Sequence, residues 1–404
     1  MSGADPIAAP AQLVGAGRVV TPEGVRNDAW VHVSDGRIVE IAAVRPDLDL
    51  PIVDLRGAWL LPGYIDLHVH GGGGHSVSDS LEAMEQAVAF HRSHGTTATL
   101  VSLVTAPESR LSAQLEWAAE LARRGPGPRG HVLGSHLEGP FLSALRCGAQ
   151  NAAHMVAPDM ALLERLRAVA GDTLRMVTIA PELPGALPLI QALSESGVIA
   201  AMGHSDATYE QTLQGIRAGA NHATHLFNAM PPLLHREPGL VGAALEMGIT
   251  CELINDGLHV HPAIVRLVFD LIRSTVLVTD AIDAAGVGDG RFELGGQEVL
   301  VQAGEARLSA TGSLAGSTLT MDNALRNAVQ ASGISVERAS AAASLAPARA
   351  LGLDHELGSI APGRRADLVV LDDDLRVMDV MASGRWCEPV RSVKIGLDNL
   401  LKKL

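Results

Sequence analysis

Eight short apolar segments alternate with amphipathic stretches along most of the 404-residue chain. Stretches with helical periodicity, such as 80–94, 108–124, 160–170 and 209–218, lie between most of these segments. Sustained alternation of strand and helix is typical of a parallel sheet, and eight strands over about 290 residues predict an α/β fold with a (β/α)8 TIM-like barrel. The predicted strands are 64–69, 97–103, 131–137, 175–179, 199–203, 222–225, 249–253 and 276–279.

Both ends of the chain have the pattern of short strands joined by turns. Segments 14–20, 29–33 and 37–42 alternate in polarity, and segments 366–371 and 378–385 repeat this style near the C-terminus. We therefore expect one small β-sandwich domain built from both ends. The predicted division is 1–62 for its N-terminal part, 63–350 for the barrel, and 351–404 for its C-terminal part and tail.

The charge balance restricts the class of partner. The chain carries 31 Lys and Arg against 45 Asp and Glu, a formal net charge of −14. This excess of negative charge argues against nucleic acid and anionic membranes as partners. The sequence lacks an apolar run of about 18 residues and a signal-like N-terminus, and its three cysteines are far apart. We therefore expect a cytoplasmic protein.

The distribution of lysine excludes several kinds of chemistry. Lys394, Lys402 and Lys403 are the only lysines, and all lie near the C-terminus. The body of the chain therefore has no lysine for a Schiff base, a phosphate-binding loop or a carbamylated bridge between two metal ions.

Side chains that bind metals follow five of the predicted strands. Carboxyl ends of barrel strands meet at one face, which is where barrel enzymes place their active sites. Histidines two residues apart on a strand point the same way, and imidazoles with carboxylates are the ligands that zinc and similar divalent ions prefer. The residues concerned are His68, His70, Glu138, His204, His225 and Asp280.

These residues predict either one ion or two. A pair of ions needs a bridging ligand, and without a lysine Glu138 is the best candidate for it. We assign His68, His70, Glu138 and Asp280 to one ion, and Glu138, His204 and His225 to the other. Asp66 lies on the same face of the strand as His68, and we expect it to orient a histidine.

Longer motifs resemble a known family. The run Leu-Pro-Gly-Tyr-Ile-Asp-Leu-His-Val-His at 61–70 resembles the first motif of the amidohydrolase superfamily. Other runs resemble the N-acetylglucosamine-6-phosphate deacetylase family within it: HLEGPF at 136–141, GHS at 203–205, HLFNAM at 225–230, REPG at 236–239, DGLH at 256–259, VTDA at 278–281 and LAGS at 314–317.

The resemblance implies hydrolysis of the acetamide of N-acetylglucosamine 6-phosphate, which gives acetate and glucosamine 6-phosphate. It implies that Glu138, His204 and His225 hold a metal ion, and the presence of His68 and His70 makes a second ion plausible. Zinc is the first expectation for the metal, with iron, manganese, cobalt or cadmium as alternatives. Asp280 would act as the base towards water and then as the acid towards the departing amine.

The resemblance also implies a set of substrate contacts. Arg236 resembles the family's phosphate-binding arginine, which reaches the neighbouring active site of a homodimer. Gln150 stands where the family often has a histidine, and a glutamine at this position cannot be protonated. The remaining expected contacts are Ala149, Asn228, Ala229, Asp256, His259, Leu314, Ala315 and Gly316.

Two other functions stay open at this point. The chain could be a different metal-dependent amidohydrolase, such as an N-acyl-amino-acid deacylase or a cyclic amidase, which would prefer a substrate without phosphate. It could also be a noncatalytic scaffold that kept the barrel, and such a protein would bind no metal tightly.

Overall fold

The computed structural model describes residues 9–127 and 129–387. Twenty strands lie in these ranges. They are β1 (Gln12–Thr21), β2 (Gly24–Ser34), β3 (Arg37–Ala42), β4 (Ile52–Pro62), β5 (Tyr64–Asp66), β6 (Gly71–Gly72), β7 (His75–Ser76), β8 (Thr96–Val104), β9 (His131–Glu138), β10 (Leu174–Ile179), β11 (Ile199–Met202), β12 (His222–Ala223), β13 (Thr250–Ile254), β14 (Thr275–Val278), β15 (Gly290–Leu294), β16 (Gln297–Gln302), β17 (Glu305–Leu308), β18 (Leu368–Leu371), β19 (Val377–Ala382) and β20 (Arg385–Trp386).

Ten α-helices lie in the same part of the chain. None of these helices has both the length and the apolar character that a membrane crossing requires. The helices are α1 (Leu81–Ser93), α2 (Glu108–Arg124), α3 (Met160–Ala170), α4 (Ala186–Glu195), α5 (Tyr209–Arg217), α6 (Gly239–Met247), α7 (Pro262–Leu271), α8 (Met321–Gln330), α9 (Val336–Ser340) and α10 (Ala346–Ala350).

Eight parallel strands form the predicted barrel. Their order is β5, β8, β9, β10, β11, β12, β13 and β14, which is the order of the chain. The first and last strands of this order, β5 and β14, are joined just beyond their C-terminal ends. There Asp280 donates from its N–H to the carbonyl of His68 at 2.8 Å. His70 donates to the carbonyl of Ala281 at the same distance. The (β/α)8 fold is thus confirmed, and a strand lies at each predicted position, although β5 and β12 end earlier than predicted.

Local sequence signals fix where several helices begin. The Ser80 hydroxyl accepts from the N–H of Ala83 at the start of α1. Thr208 and Gln211 form a reciprocal capping box at the start of α5. Each contact satisfies a backbone donor that has no partner within the helix, which stabilises the helix by about 1 kcal/mol. The helices therefore begin immediately after the loops that carry the candidate site residues.

The predicted small β domain joins both chain ends in one seven-stranded sheet, in the order β20, β19, β18, β4, β1, β2, β3. Antiparallel pairing of β18 with β4 connects the C-terminal strands to the N-terminal ones. The edge strand β3 also contacts the segment before β18, where Ile38 donates from its N–H to the carbonyl of Arg364 at 2.8 Å. Its inner face buries a separate apolar core that includes Val14, Val31, Leu60 and Leu368. The domain boundaries at 62 and 350 stay predictions, and residues 388–404 lie outside the described ranges.

A three-stranded antiparallel sheet, β15 to β17, follows the last barrel strand and was not predicted from the sequence. Its buried side chains Val299, Val301 and Leu308 pack against Ile282 of the loop after β14. This insert lies over the carboxyl-terminal face of the barrel, because Gln297 donates from its side chain to the carbonyl of Ala149 at 2.7 Å.

Candidate active site

The four predicted metal-binding histidines converge on Glu138 at the mouth of the barrel. His204 Nε2 and His225 Nε2 lie 2.9 Å and 3.1 Å from Glu138 Oε1. His70 Nε2 lies 3.4 Å from Glu138 Oε2, and His68 Nε2 lies 3.5 Å from Oε1. The result is two clusters of donor atoms that share one carboxylate. A single glutamate therefore faces both proposed ion positions.

Asp280 completes the half of the site that contains the first two histidines. Its Oδ1 lies 3.1 Å from His70 Nε2 and 3.5 Å from His68 Nε2. The Asp280 side chain is 11% exposed, whereas the Glu138 side chain is 3% exposed. Asp280 is therefore the carboxylate of the cluster with more access to the cavity.

Hydrogen bonds behind the cluster fix how three of the imidazoles are oriented. His70 Nδ1 lies 3.0 Å from the carbonyl of Ser102, and His204 Nδ1 lies 3.0 Å from the carbonyl of Arg146. A carbonyl oxygen can only accept, so Nδ1 carries the proton and Nε2 directs a lone pair into the cluster. His68 Nδ1 lies 3.1 Å from a carboxylate oxygen of Glu252, with the same consequence.

The protonation properties of the cluster reflect its buried carboxylates. Burial alone would raise the pKa of Glu138, but the imidazoles of His68 and His204 lower it well below its usual range. Burial also opposes ionisation of Asp280, and His68 and His70 outweigh it, so the pKa of Asp280 is lowered. Although burial disfavours a charged imidazole, Asp280 and Glu138 raise the pKa of His70 to about 9. The two carboxylates therefore stay ionised and require positive charge beside them.

These donors fit a divalent metal ion. His68 Nε2 lies 3.1 Å from His70 Nε2, and His225 Nε2 lies 3.1 Å from His204 Nε2. Two lone pairs that face each other at this distance repel unless a cation or a proton lies between them. A divalent ion would supply that charge to neutral imidazoles and ionised carboxylates, and its binding would release the protons.

The backbone is left-handed at several site residues. The φ angle is +46° at His204, +27° at His225 and +50° at Asp280, and Phe227 and Ala229 also have positive φ. Residues other than glycine avoid this region, and each such residue costs on the order of 1–3 kcal/mol. Strain of this kind clusters at functional sites, because the surrounding structure holds side chains in positions that relaxed loops would not provide.

A cavity of about 230 Å³ opens above the cluster. Its wall includes Leu294 of the unpredicted insert, which sequence reasoning therefore missed. Gly316 has a φ of +58°, and a Cβ at this position would lie 2.9 Å from the carbonyl oxygen of Asp280, so a side chain would displace the loop. The predicted substrate-binding residues that line the cavity are Ala149, Gln150, Asn228, Ala229, His259, Leu314 and Gly316.

The other predicted substrate contacts lie elsewhere. Ala315 is fully buried in the core of the insert. Asp256 lies behind His259, with its Oδ2 2.7 Å from His259 Nδ1, and it therefore orients that ring. Arg236 is exposed and does not line the cavity of its own chain. Its predicted role in a neighbouring site stays a prediction.

Gln150 contacts Glu138, the carboxylate shared by the two donor clusters. Its Oε1 accepts from the N–H of Thr105 at 2.8 Å, which orients the amide, and its Nε2 donates to Glu138 Oε2 at 2.5 Å. The sequence placed Gln150 among the substrate contacts. The structure adds that it holds the outer oxygen of the shared carboxylate.

Asp66 contacts the main chain of His68 and not its ring. Its Oδ1 accepts from the backbone N–H of His68 at 3.1 Å, and its Oδ2 accepts from the hydroxyl of Thr279 at 2.5 Å. Asp66 therefore ties the first barrel strand to the last. Glu252, which the sequence analysis missed, contacts the His68 ring instead. The sequence signal that could have found Glu252 is its charge within the otherwise apolar strand β13.

Comparison with known proteins places the chain in the amidohydrolase family. The model of the "Amidohydrolase family" matches residues 59–387. An N-acetylgalactosamine-6-phosphate deacetylase of Escherichia coli O157:H7 is 42% identical over 373 residues, which are 92% of this chain and 97% of the relative. The N-acetylglucosamine-6-phosphate deacetylase of Homo sapiens is 39% identical over 378 residues, 89% of this chain and 91% of the relative.

Solved structures of deacetylases are also similar to this chain. A mutant N-acetyl-D-glucosamine-6-phosphate deacetylase from Mycobacterium smegmatis, in complex with N-acetyl-D-glucosamine-6-phosphate, superposes with a TM-score of 0.89. It is 42% identical, and the match covers 94% of this chain and 99% of the other. A deacetylase from Pasteurella multocida has a TM-score of 0.86 at 32% identity, with coverage of 93% and 99%.

Proposed function

Because the chain belongs to the amidohydrolase family, we propose that it hydrolyses the acetamide of an N-acetylhexosamine 6-phosphate. Its principal substrate is N-acetyl-D-glucosamine 6-phosphate, and the products are D-glucosamine 6-phosphate and acetate. The observation that carries this function is the shared carboxylate of Glu138 between two histidine pairs, in a chain that matches deacetylases over nearly their whole length. The enzyme acts in the breakdown or recycling of amino sugars.

We propose that His68, His70, Glu138 and Asp280 hold one ion, and that Glu138, His204 and His225 hold another. Zinc is the metal we expect, because imidazole and carboxylate are its common ligands in hydrolases. When bound, such an ion supplies Lewis acidity, which polarises an amide carbonyl and makes water more acidic.

Asp280 has the position and the charge of a proton carrier. Its carboxylate is ionised, it lines the cavity, and its pKa is held low by the neighbouring imidazoles. We propose that Asp280 accepts a proton from the attacking water and then gives that proton to the nitrogen of the leaving amine. The C–O bond to acetate forms, the amide C–N bond breaks, and the carboxylate returns to its ionised state.

The upper wall of the cavity would hold the sugar. His259, oriented by Asp256, presents its other ring nitrogen to the cavity, which Asn228 and Ala229 also line. Asn228 donates from its side chain to the carbonyl of His225 at 3.1 Å, so the loop that carries these contacts is fixed to a proposed metal ligand. Substrate binding and metal binding would therefore share one loop.

We propose a cytoplasmic homodimer in which Arg236 binds the phosphate in the neighbouring site. Arg236 and the nearby Leu233 and Leu234 are exposed on one segment, which gives a cation beside an apolar surface. The described cysteines are unpaired, as is usual in a reducing compartment.

Acetate release tests the proposal. Purified protein with measured metal content is given N-acetylglucosamine 6-phosphate, its galactosamine epimer, unphosphorylated N-acetylglucosamine and an N-acetyl amino acid. We expect release from the phosphorylated sugars, and faster release from N-acetylglucosamine 6-phosphate than from its epimer. Release from the N-acetyl amino acid alone would favour an amino-acid deacylase, and no release by metal-loaded protein would contradict the proposal.

A further inference from the structure

Glu252 is a charged residue inside an apolar barrel strand. It lies in β13 between Cys251 and Leu253, and its side chain is completely buried. Removing an ionised carboxylate from water is unfavourable unless partners compensate for it. A carboxylate at this position therefore indicates specific partners in the barrel interior.

Three donors surround this carboxylate. Its Oε2 lies 3.1 Å from His68 Nδ1 and accepts from the backbone N–H of His225 at 3.1 Å. Its Oε1 lies 3.0 Å from His222 Nε2. One side chain thus contacts a residue from each proposed ion position, together with a third histidine that is not a proposed ligand.

The contacts have different effects on the two histidines. The bond to His68 Nδ1 keeps the proton on that nitrogen, so that Nε2 presents its lone pair to the cluster. The bond to His225 involves the backbone N–H, at a residue whose φ of +27° is unfavourable without outside support. Glu252 therefore sets the ring of one ligand and the main chain of the other.

We propose that Glu252 is a positioning residue for both proposed ion positions, because it fixes the ring of His68 and the main chain of His225. His222 in turn holds its Oε1 oxygen. This inference rests on the proposed metal-dependent function. It differs from a purely structural role, because it requires the loss of Glu252 to weaken metal binding while the fold remains. A residue that only filled the barrel would change stability and leave the affinity for metal unchanged.

The test is zinc binding by the metal-stripped full chain, measured by competition with a chelator and by metal analysis. In Glu252→Gln, an amide of the same shape removes the negative charge. We expect the affinity for at least one zinc ion to fall about 10- to 100-fold, the range typical of lost outer partners of metal ligands. Glu252→Asp keeps the charge, but is too short to reach both His68 and His222, and it should weaken zinc binding as well.

Asp322→Asn is the matched control, since Asp322 is another buried carboxylate beside a histidine, 3.3 Å from Nδ1 of His94, and belongs to neither donor cluster. We expect this variant to lose thermal stability and to keep wild-type zinc affinity. Wild-type affinity in a folded Glu252→Gln or Glu252→Asp protein would overturn the inference and leave the proposed function intact. A wild-type chain that takes up no zinc would overturn the proposed metal site itself.

Discussion

Gln150 donates a hydrogen bond from its side-chain nitrogen to Glu138 Oε2 across 2.5 Å. The other oxygen of Glu138 faces His204 and His225, so the shared carboxylate is held on both sides. A glutamine keeps one state throughout the physiological pH range, whereas a histidine at this position would gain or lose a proton. The arrangement fixes Glu138 without adding a titrating group.

Replacing Gln150 with alanine should weaken the metal centre. The change removes a hydrogen bond to an ionised group, which is worth about 1.5–3 kcal/mol, so we expect kcat/KM to fall roughly 10- to 100-fold. Steady-state acetate release and zinc content on the same sample measure both effects. Gln191→Ala removes a comparable glutamine–glutamate hydrogen bond on the surface and should change neither quantity. Unchanged activity in Gln150→Ala would refute this role.

Asp280→Asn should stop turnover while zinc stays bound by Glu138, His204 and His225. An asparagine has nearly the same shape but cannot carry the proton, and the loss of a general acid–base group costs about 10²- to 10⁴-fold in rate. The measurements are single-turnover acetate release and metal analysis. Asp283→Asn, which alters a nearby carboxylate outside the cluster, should retain activity. Wild-type turnover in Asp280→Asn would remove Asp280 from the reaction.

The convergence of the proposed metal ligands could be predicted from the sequence because of where parallel strands end. His204 and Asp280 follow apolar strands directly, and the carboxyl ends of barrel strands converge whatever their distance along the chain. Glu252 could not be predicted in this way. It lies within a strand, and its partner His68 is 184 residues away, so no local pattern links them. Its contact depends on which way the strand faces in the closed barrel.

The insert was missed for a different reason. Its strands are short and partly exposed, and β15 and β16 are joined by Gly295 and Gly296, which both have positive φ. Such a pattern is a hairpin signal, but it falls after the eighth strand, where barrel periodicity predicts a helix. Its role over the cavity depends on the contact between Gln297 and Ala149, which follows from packing and not from local sequence.

Asp256→Asn should shift the pH dependence of substrate binding. Burial opposes the charged form of His259, but the Asp256 carboxylate outweighs it and raises the pKa of His259. His259 is cationic below its pKa, so its attraction for an anionic sugar phosphate is present at lower pH and is lost as pH rises through that value. Without the Asp256 charge, the pKa of His259 should fall, so the loss should occur at lower pH.

The measurement is kcat/KM for the phosphorylated sugar across the neutral pH range. Asp270→Asn, at a surface carboxylate of α7 outside the cavity, is the control and should leave the profile unchanged. An Asp256→Asn profile that coincides with the wild-type curve would show that His259 does not contribute its charge to substrate binding.

Arg236→Ala should raise KM for the phosphorylated sugar and have little effect on the unphosphorylated one. Loss of a charged hydrogen bond to phosphate corresponds to about a 10- to 100-fold change. Because Arg236 is exposed and lies outside the cavity of its own chain, we expect the effect to arise across a dimer interface. An equal loss with both sugars would exclude a phosphate role.

Mixed dimers determine which subunit supplies Arg236. In a heterodimer of Arg236→Ala with Asp280→Asn, a trans arrangement leaves one site with both intact residues, whereas a cis arrangement leaves none. The purified heterodimer should therefore show about half of wild-type activity if Arg236 acts in trans. The two chains are co-expressed with different tags, and the purified heterodimer is assayed beside each parent homodimer.

Because the D280N parent cannot transfer the proton and the R236A parent binds phosphate poorly, activity above both parents requires a site shared between the two subunits. A heterodimer no more active than its parents, or a chain that remains monomeric, would contradict the trans assignment.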